Sequence, residues 1–358
     1  MQKKLFTIGL AVLLVFAIIY VGSLITWVFT PILVIVQTLF VPLVLVVFLF
    51  YLLKPLVAKL ETNMSRTMSI VVIYVGGLVL IGGLLAYIVP ILTTQFISLT
   101  ENLPSIFDRI VVIIEEFQYN DFIANLQLQG MINFEELLTQ LNDGLSDIAR
   151  SIANNITAYL TTIANVVLVI FIIPFILFYT LKDKEKLIEG LLNLVSKDKQ
   201  DEARSMLKQI DSTLSSYIQG QGLVCLVVGI LDLIAYAIIG LDYALLLAVI
   251  AGATNIIPYF GPWIGAIPAV IVALFISPFT AFLTILSIVV IQQIESNLVS
   301  PQIIGKKMKI HPLTVMLLIL LVGRMAGILG MIIAVPVYAT IKVIFAHTWP
   351  SIKRKFSV

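Results

Sequence analysis

A group of polar side chains within an apolar stretch of the C-terminal third could bind a proton, a cation or a polar solute. Gln292, Glu295 and Ser296 follow i, i+3, i+4 spacing, which places them on one face of a helix. Gln293 and Asn297 adjoin them. An ionisable side chain at the centre of a bilayer costs at least ~2.5 kcal/mol and normally needs a partner or water. The pattern favours a functional carboxylate at Glu295, with an interfacial carboxylate as the alternative, because this residue lies near the end of its apolar run.

Three further polar residues interrupt apolar runs. Arg324 lies twelve residues beyond Pro312, which is ~18 Å along a helix. It either satisfies backbone carbonyl groups or binds a solute or ion. Asn255 could hydrogen-bond a ligand or an unwound stretch of backbone, and we favour the backbone. Asp232 either lines a path or caps a packing contact, and we favour packing.

The elements that must position these residues are two broken apolar runs, 244–276 and 313–346. Pro258-Tyr-Phe-Gly-Pro262 interrupts the first and Gly323-Arg-Met-Ala-Gly327 the second. The two arms of the first run have 14 residues each, ~21 Å as helix against a hydrocarbon core of ~30 Å. The pattern therefore predicts two re-entrant hairpins lining a polar path, with one long kinked helix as the alternative for the first run. The predicted hairpin tips are Phe260, Pro262, Gly323 and Gly327.

Composition indicates a membrane protein. Hydrophobic residues make up 60% of the chain, charged residues only 12%, and the mean hydropathy is +1.09. These values lie far outside those of soluble domains. We predict an all-α polytopic membrane protein with about six full transmembrane helices plus the two re-entrant helical hairpins. The single cysteine, Cys225, is interpreted as a packing residue.

The chain is expected to divide into six regions. Residues 1–97 form transmembrane helices 1–3, with a tight turn at Thr30-Pro31 between the first two. Residues 98–155 form an acidic, amphipathic, extracytoplasmic helical insert, and 156–181 form transmembrane helix 4. Residues 182–213 are a charged cytoplasmic segment, 214–346 a C-terminal transport unit, and 347–358 a basic cytoplasmic tail.

The distribution of Lys and Arg predicts the topology. If the first hairpin enters from outside and the second from inside, 19 of the 22 Lys and Arg residues lie on the cytoplasmic side. Short cytoplasmic loops carry such an excess. We therefore expect both termini in the cytoplasm, in a bacterial inner membrane.

Four motifs resemble those of the autoinducer-2 exporter family of permeases. They are Asn255-Ile-Ile-Pro-Tyr-Phe-Gly-Pro-Trp-Ile-Gly-Ala-Ile-Pro268, Glu295-Ser-Asn-Leu-Val-Ser-Pro-Gln-Ile-Ile-Gly305-Lys, His311-Pro312, and Gly327-Ile-Leu-Gly-Met-Ile-Ile-Ala-Val-Pro336. The resemblance implies an eight-segment inner-membrane protein, a homo-oligomer (a pentamer by family expectation), that moves a small polar solute or couples ion fluxes. With Gln292 from the helical-face argument, the predicted path residues are Asn255, Pro258, Gly261, Gly265, Gln292, Glu295, Asn297, Pro301 and Arg324.

The function predicted from these observations is secondary transport by alternating access, exporting an autoinducer-2-like solute, with protons coupled through Glu295. The first alternative is a sodium or lithium antiporter that exchanges the cation for protons, and the second is a membrane scaffold whose acidic insert binds an extracytoplasmic partner. An enzyme is not expected, because the two histidines, His311 and His347, form no His-Glu-x-x-His and no Gly-x-Ser-x-Gly is present. No phosphate loop for ATP is found. Lipid is the expected surrounding, and no cofactor, metal or nucleic-acid partner is predicted.

Overall fold

The computed structural model describes residues 26–118, 171–303 and 311–356, with isolated positions before residue 26. Within these residues every regular element is helical. The elements are α1 (Thr26–Leu60), α2 (Arg66–Gln118), α3 (Phe171–Lys182), α4 (Lys184–Leu192), a 3-10 turn (Lys197–Lys199), α5 (Gln200–Ile239), α6 (Ala244–Thr254), α7 (Phe260–Ile276), α8 (Pro278–Ile294), a π-helical turn (Glu295–Val299), α9 (Ser300–Ile303) and α10 (Pro312–Phe356).

Five stretches of the described residues are long and apolar enough to cross a bilayer. They are Thr30–Leu60, Arg66–Leu99, Lys197–Ile239, Pro278–Ile303 and Pro312–Trp349. The chain is therefore an all-helical, multi-pass membrane protein. Most of the predicted first span, the acidic insert beyond Gln118, the first part of the predicted fourth span and the basic residues 306–309 lie outside the described residues.

The predicted tight turn at Thr30-Pro31 is wrong, because α1 runs through it without a break. Three prolines, Pro31, Pro42 and Pro55, lie inside this helix. Each lacks an N–H and removes one hydrogen bond of the helix. In a membrane helix such prolines are tolerated, because a local readjustment satisfies the freed carbonyl and the other backbone groups must stay paired in lipid. The rule that a proline marks a helix boundary, which holds for soluble proteins, therefore predicted a boundary at Pro31 where the helix is continuous.

α2 extends far beyond the predicted third span. It has 53 residues, which corresponds to ~80 Å of helix. The bilayer core takes only ~30 Å of that length. The helix therefore continues from the span into the start of the acidic insert without a break, up to Gln118.

The first broken run forms an antiparallel pair of helices, α6 and α7, joined by residues 255–259. The arms have 11 and 17 residues rather than 14 each. Glycines allow the two backbones to touch: a Cβ on Gly265 would lie 2.6 Å from the Cα of Ala251, and one on Gly261 would overlap the carbonyl oxygen of Thr254. Gly261 and Gly265 thus serve close helix packing.

The second broken run also turns back on itself. Inside α10, Ala326 (φ −132°, ψ 18°) and Gly327 (φ 62°, ψ −150°) leave the helical conformation. A Cβ on Gly330 would contact the carbonyl oxygen of Val322. These two residues are eight positions apart, which is ~12 Å in a continuous helix. The chain therefore reverses at Ala326-Gly327, where positive φ favours glycine.

The two helix pairs start at opposite ends of the bundle, and residues near both tips belong to or pack against one apolar cluster. At one end, the side chain of Gln95 in α2 accepts a hydrogen bond from the backbone N–H of Leu246 at the start of α6 (3.0 Å). At the other end, Val315 near the start of α10 shares a buried apolar cluster with Val57 of α1. Ile257 from the first tip belongs to this same cluster, and Val322 and Met331 beside the second tip pack against it.

An ion-pair cluster ties the helices together at the end where α10 begins. Asp211 Oδ2 of α5 accepts hydrogen bonds from Lys54 Nζ (2.7 Å) and Lys184 Nζ (3.2 Å). Arg66 Nη1 lies 2.6 Å from Glu185 Oε2. This hydrogen bond from Arg66 lowers the pKa of the Glu185 carboxyl below its ordinary value of 4.5. The start of α2, the segment after α3 and the first part of α5 are therefore at the same end of the bundle.

Candidate functional site

A cavity of about 1130 Å³ lies between the tip of the first helix pair and the helix that carries Glu295. Its wall contains Asn255, Pro258 and Pro262 from the first tip, and Val315 and Val335 from the two arms of α10. Its volume is of the size that small-molecule sites occupy, and such sites are mostly apolar with a few placed polar groups. Both helix pairs and α8 therefore contribute to one chamber.

The structure brings five of the nine predicted path residues to this cavity. They are Asn255, Pro258, Gln292, Glu295 and Pro301. Ser296, from the predicted helical face of Glu295, also lines it. Gln292, Glu295 and Ser296 are thus distant in sequence from the first tip but line the same cavity.

The other four predicted path residues lie outside the cavity wall. Gly261 and Gly265 pack α6 against α7, as described above. Asn297 turns its amide towards Gln293, donating to the backbone oxygen (3.0 Å) and to Oε1 (2.8 Å) of that residue. Arg324 is exposed. Of the predicted tip residues, Pro262 lines the cavity, Phe260 packs against the apolar cluster, Gly323 precedes the break in α10, and Gly327 forms it.

Arg324 forms no ion pair with any described carboxylate. Its guanidinium also makes no hydrogen bond to a described carbonyl group. The alternative in which Arg324 satisfies the backbone at the second tip is therefore wrong for the described residues.

Glu295 begins a π-helical turn that ends at Val299. A π turn inserts one extra residue into a helix and is found frequently at functional sites. The widened turn aligns Glu295 with Ser300, five residues later, and the Ser300 hydroxyl donates a hydrogen bond to the Glu295 carboxylate. Both side chains line the cavity. The i, i+3, i+4 spacing predicted a face with Gln292, Glu295 and Ser296, and the π-helical turn brings Ser300 to the same face.

Asn255 lines the cavity, and one donor of its side chain is buried without a partner among the described residues. Its backbone carbonyl accepts a hydrogen bond from Gln221 Nε2 (2.7 Å). Its own side-chain nitrogen, Nδ2, is buried and has no partner among the described residues. The expectation that the Asn255 side chain bonds the unwound backbone is therefore wrong: Gln221 satisfies that backbone, and the amide remains available.

The Tyr217 hydroxyl is a second buried group without a partner among the described residues, and it lines the same cavity. Native proteins pair nearly all buried polar groups, so each exception needs an explanation. Both exceptions belong to residues that line the same chamber.

The sequence analysis missed Tyr217 and Gln221. Their signal was a pair of hydrogen-bonding side chains four residues apart at the start of an apolar span, which places both on one helical face. It also missed Tyr259 and Trp263 on the cavity wall. Tyr259 has φ 64° and ψ −40°, a conformation that costs non-glycine residues about 1–3 kcal/mol and concentrates at functional sites.

Comparison with known proteins agrees with this architecture. The sequence model described as AI-2E family transporter matches residues 10–349. The chain belongs to the AI-2E transporter family. The transporter is 37% identical over 347 residues to YueF of Bacillus subtilis (strain 168), named as a candidate transport protein, covering 97% of this chain and 94% of YueF.

Two other relatives are similar over most of their length. YrrI of Bacillus subtilis (strain 168), also named as a candidate transport protein, is 34% identical over 342 residues, covering 94% of each chain. PerM of Escherichia coli (strain K12), named as a candidate permease, is 28% identical over 326 residues, covering 87% of this chain and 88% of PerM. Family membership and the apolar helices together indicate a membrane transporter.

Proposed function

We propose that the transporter moves a small polar solute of the autoinducer-2 type out of the cell through the cavity between the two helix pairs. The observation that carries this proposal is a pair of buried atoms without a partner among the described residues, Asn255 Nδ2 and Tyr217 OH, in two residues that line the cavity. An oxygen-rich solute would accept a hydrogen bond from the amide and exchange one with the hydroxyl. The aromatic rings of Tyr259 and Trp263 would cover its apolar face.

The two helix pairs are, in this proposal, re-entrant hairpins that enter the membrane from opposite sides. The arms of the first pair have 11 and 17 residues. They correspond to ~16 and ~25 Å, and each is shorter than the ~30 Å core. Their tips share one apolar cluster. Broken helices that meet at the midplane from both sides are a recurrent basis of alternating access in secondary transporters.

Alternating access would come from movement of the C-terminal unit against the first helices. Lys54 of α1 and Asp211 of α5 connect these two parts at one end of the bundle. Opening that end requires this ion pair to separate. The same cluster joins Arg66 and Glu185, so the two positively charged loops around them lie on one side, which supports a cytoplasmic location for both and for the termini.

The resemblance to the exporter family further supports assembly as a homo-oligomer in a bacterial cell membrane. The exposed surface of α2 suits this or lipid contact, since Leu78, Val79 and Tyr87 are each more than 70% exposed.

Sodium–proton antiport is the second candidate, and one observation favours it. The Glu295 carboxylate lines the cavity and accepts a hydrogen bond from Ser300. A carboxylate with a hydroxyl beside it supplies the oxygen ligands that hard cations prefer. In this version, sodium and protons compete at Glu295.

Proteoliposomes separate the two candidates. The purified transporter is reconstituted, a pH gradient is imposed, and movement of labelled autoinducer-2 and of labelled sodium is measured in wild type and in Glu295→Gln. Solute movement without sodium movement supports export. Sodium movement that requires the pH gradient and is lost in Glu295→Gln would support antiport and refute export. Movement of neither above empty liposomes would refute both.

A further inference from the structure

One face of α5 carries polar groups along nearly its whole membrane length. Its buried residues are Tyr217, Ile218, Gly220, Gln221, Val224, Val228, Asp232 and Tyr236. Steps of three and four residues keep this set on one helical face. Tyr217 and Tyr236 are 19 residues apart, or ~28 Å, close to the ~30 Å thickness of the hydrocarbon core. Tyr217 and Gln221 belong to the solute cavity, whereas Asp232 and Tyr236 lie outside it.

Asp232 is a buried residue whose carboxyl group has no ion-pair or hydrogen-bond partner among the described residues. Its exposed fraction is 4%. The ion pairs of the described residues all involve other acids, and no described residue donates a hydrogen bond to it. It precedes the helix end at Ile239 by seven residues, which is ~10 Å and too far for a short side chain to reach the interface.

Tyr236, one turn later on the same face, repeats this pattern. It is 0% exposed, and its hydroxyl has no partner among the described residues. A buried unpaired carboxylate is very costly, and a buried unpaired hydroxyl also costs free energy. Two such groups one turn apart are unfavourable for folding alone, which argues against the interpretation of Asp232 as a packing residue.

The environment of the pair favours a proton over a metal cation. Tyr236 packs in a cluster with Leu247, Ala248 and Ala273. Hard cations need several oxygen ligands, and no group of three or more acidic, histidine or cysteine side chains among the described residues could hold a metal ion. A proton needs only the carboxylate itself and neutralises it, which removes the cost of the buried charge.

Three helices beside this part of α5 bring no charged side chain to Asp232. α6, α7 and α8 carry no titratable side chain. α10 packs against α5 at Tyr217 and Ile218, 14 residues or ~21 Å before Asp232. α1 is joined to α5 through Lys54 and Asp211, farther still.

The remaining neighbours are likewise distant or neutral. The Glu295 carboxylate lies near Cys225 of α5, seven residues or ~10 Å before Asp232. α4 and the 3-10 turn lie at the start of α5, and α2 contributes Gln95 near the start of α6. In the connection from α5 to α6, Tyr243 packs against the cluster that contains Tyr236, and Asp242 is exposed. Tyr236 is the titratable side chain one turn from Asp232 on α5.

A contact between glycines separates Asp232 from the solute cavity. A Cβ on Gly252 of α6 would lie 3.1 Å from the Cα of Gly229 and 3.0 Å from the carbonyl oxygen of Cys225. Gly229 is one turn before Asp232 on α5. The two backbones therefore touch between the level of Glu295 and the level of Asp232, and α6 must shift on α5 to connect the two.

We propose that Asp232, beside the Tyr236 hydroxyl, is a proton-binding site that drives solute movement and is separate from the solute cavity. This rests on the proposed transport function. The proton binds the carboxylate while α6 covers it and leaves when movement of the first hairpin brings water to it. Glu295 then contacts the solute rather than the driving proton.

The test compares Asp232→Asn with Glu295→Gln in proteoliposomes. Labelled autoinducer-2 is followed both as exchange at equal pH and as transport under a pH gradient. For Asp232→Asn we expect exchange close to wild type, with the stimulation by the gradient reduced to a factor of about one. Retained stimulation in Asp232→Asn would overturn the proposal, and its loss in Glu295→Gln alone would assign the proton to Glu295.

A spectroscopic measurement makes the proposal testable even if autoinducer-2 is not the solute. Infrared difference spectra of the purified transporter between acid and alkaline pH report protonated carboxyl groups. We expect one carboxyl band to disappear in Asp232→Asn, to remain in Glu295→Gln, and to shift in Tyr236→Phe, which lacks the neighbouring hydroxyl. Identical spectra for wild type and Asp232→Asn would refute proton binding at Asp232. Absence of solute exchange in wild type together with the Asp232 band would refute the proposed solute and leave the proton site established.

Discussion

Replacing Asn255 with leucine should stabilise the transporter and impair transport at the same time. The side-chain nitrogen of Asn255 is buried without a partner among the described residues, in a residue that is 3% exposed. Leaving a buried donor unsatisfied costs about 1–3 kcal/mol. Leucine removes that donor, its helical conformation at this position is unstrained (φ −63°, ψ −8°), and the adjoining cavity accommodates its extra volume. The free energy of unfolding should therefore rise by about 1–3 kcal/mol.

The same substitution removes a hydrogen bond to the solute. A hydrogen bond contributes about 0.5–1.5 kcal/mol net, so solute affinity should fall about 2- to 13-fold. Unfolding is measured in mixed micelles with increasing denaturing detergent, and affinity from the solute concentration that half-saturates transport in proteoliposomes.

Gln221→Leu is the matched control. It also takes one amide from the cavity wall, but it leaves the Asn255 carbonyl without its donor at 2.7 Å. It should therefore destabilise the transporter by about 1–3 kcal/mol. If Asn255→Leu raises the free energy of unfolding and Gln221→Leu lowers it, the Asn255 amide is identified as a group that serves binding rather than stability. If Asn255→Leu lowers stability as much as Gln221→Leu does, the amide has a structural partner and the reasoning is refuted.

Two further predictions concern packing and charge. Gly261→Ala should lower the free energy of unfolding by about 1–3 kcal/mol, because its Cβ would meet the backbone of Thr254 and Asn255, whereas Gly190→Ala, with nothing within 4 Å, should raise it by about 0.5–1 kcal/mol. Equal effects in thermal unfolding of the two variants would contradict the close contact of α6 and α7. The Arg66 hydrogen bond lowers the pKa of Glu185. The contribution of this ion pair to the free energy of unfolding is therefore present above the ordinary pKa of 4.5 and is lost as the pH falls through the lower folded-state pKa. Wild type should therefore exceed Glu185→Gln in stability at neutral pH and match it in acid, and a difference that persists in acid would show that the pair does not depend on this ionisation.

The sequence alone determined the class of the protein and the places where its helices break. Hydrophobic content this high leaves no stable alternative to membrane helices, because backbone groups in lipid must pair within the segment. Proline and glycine clusters act locally, so residue type alone indicated both breaks to within a few residues: 258–262 was predicted and 255–259 is observed, and the second break lies at Ala326-Gly327, within the predicted 323–327. Glu295 was readable for the same reason, since a carboxylate in an apolar run is unfavourable wherever the run folds.

Only the tertiary structure decided which polar groups share a chamber and which remain unpaired. Gln221 and Asn255 are 34 residues apart, and nothing local reveals that the Gln221 amide satisfies the Asn255 backbone or that Asn255 Nδ2 has no partner among the described residues. The placement of Arg324 outside the cavity and the continuity of α1 through Pro31 likewise depend on neighbouring helices. Local residue types indicate where a helix breaks or a charge is costly, whereas partners come from helix packing, and packing is a property of the whole fold.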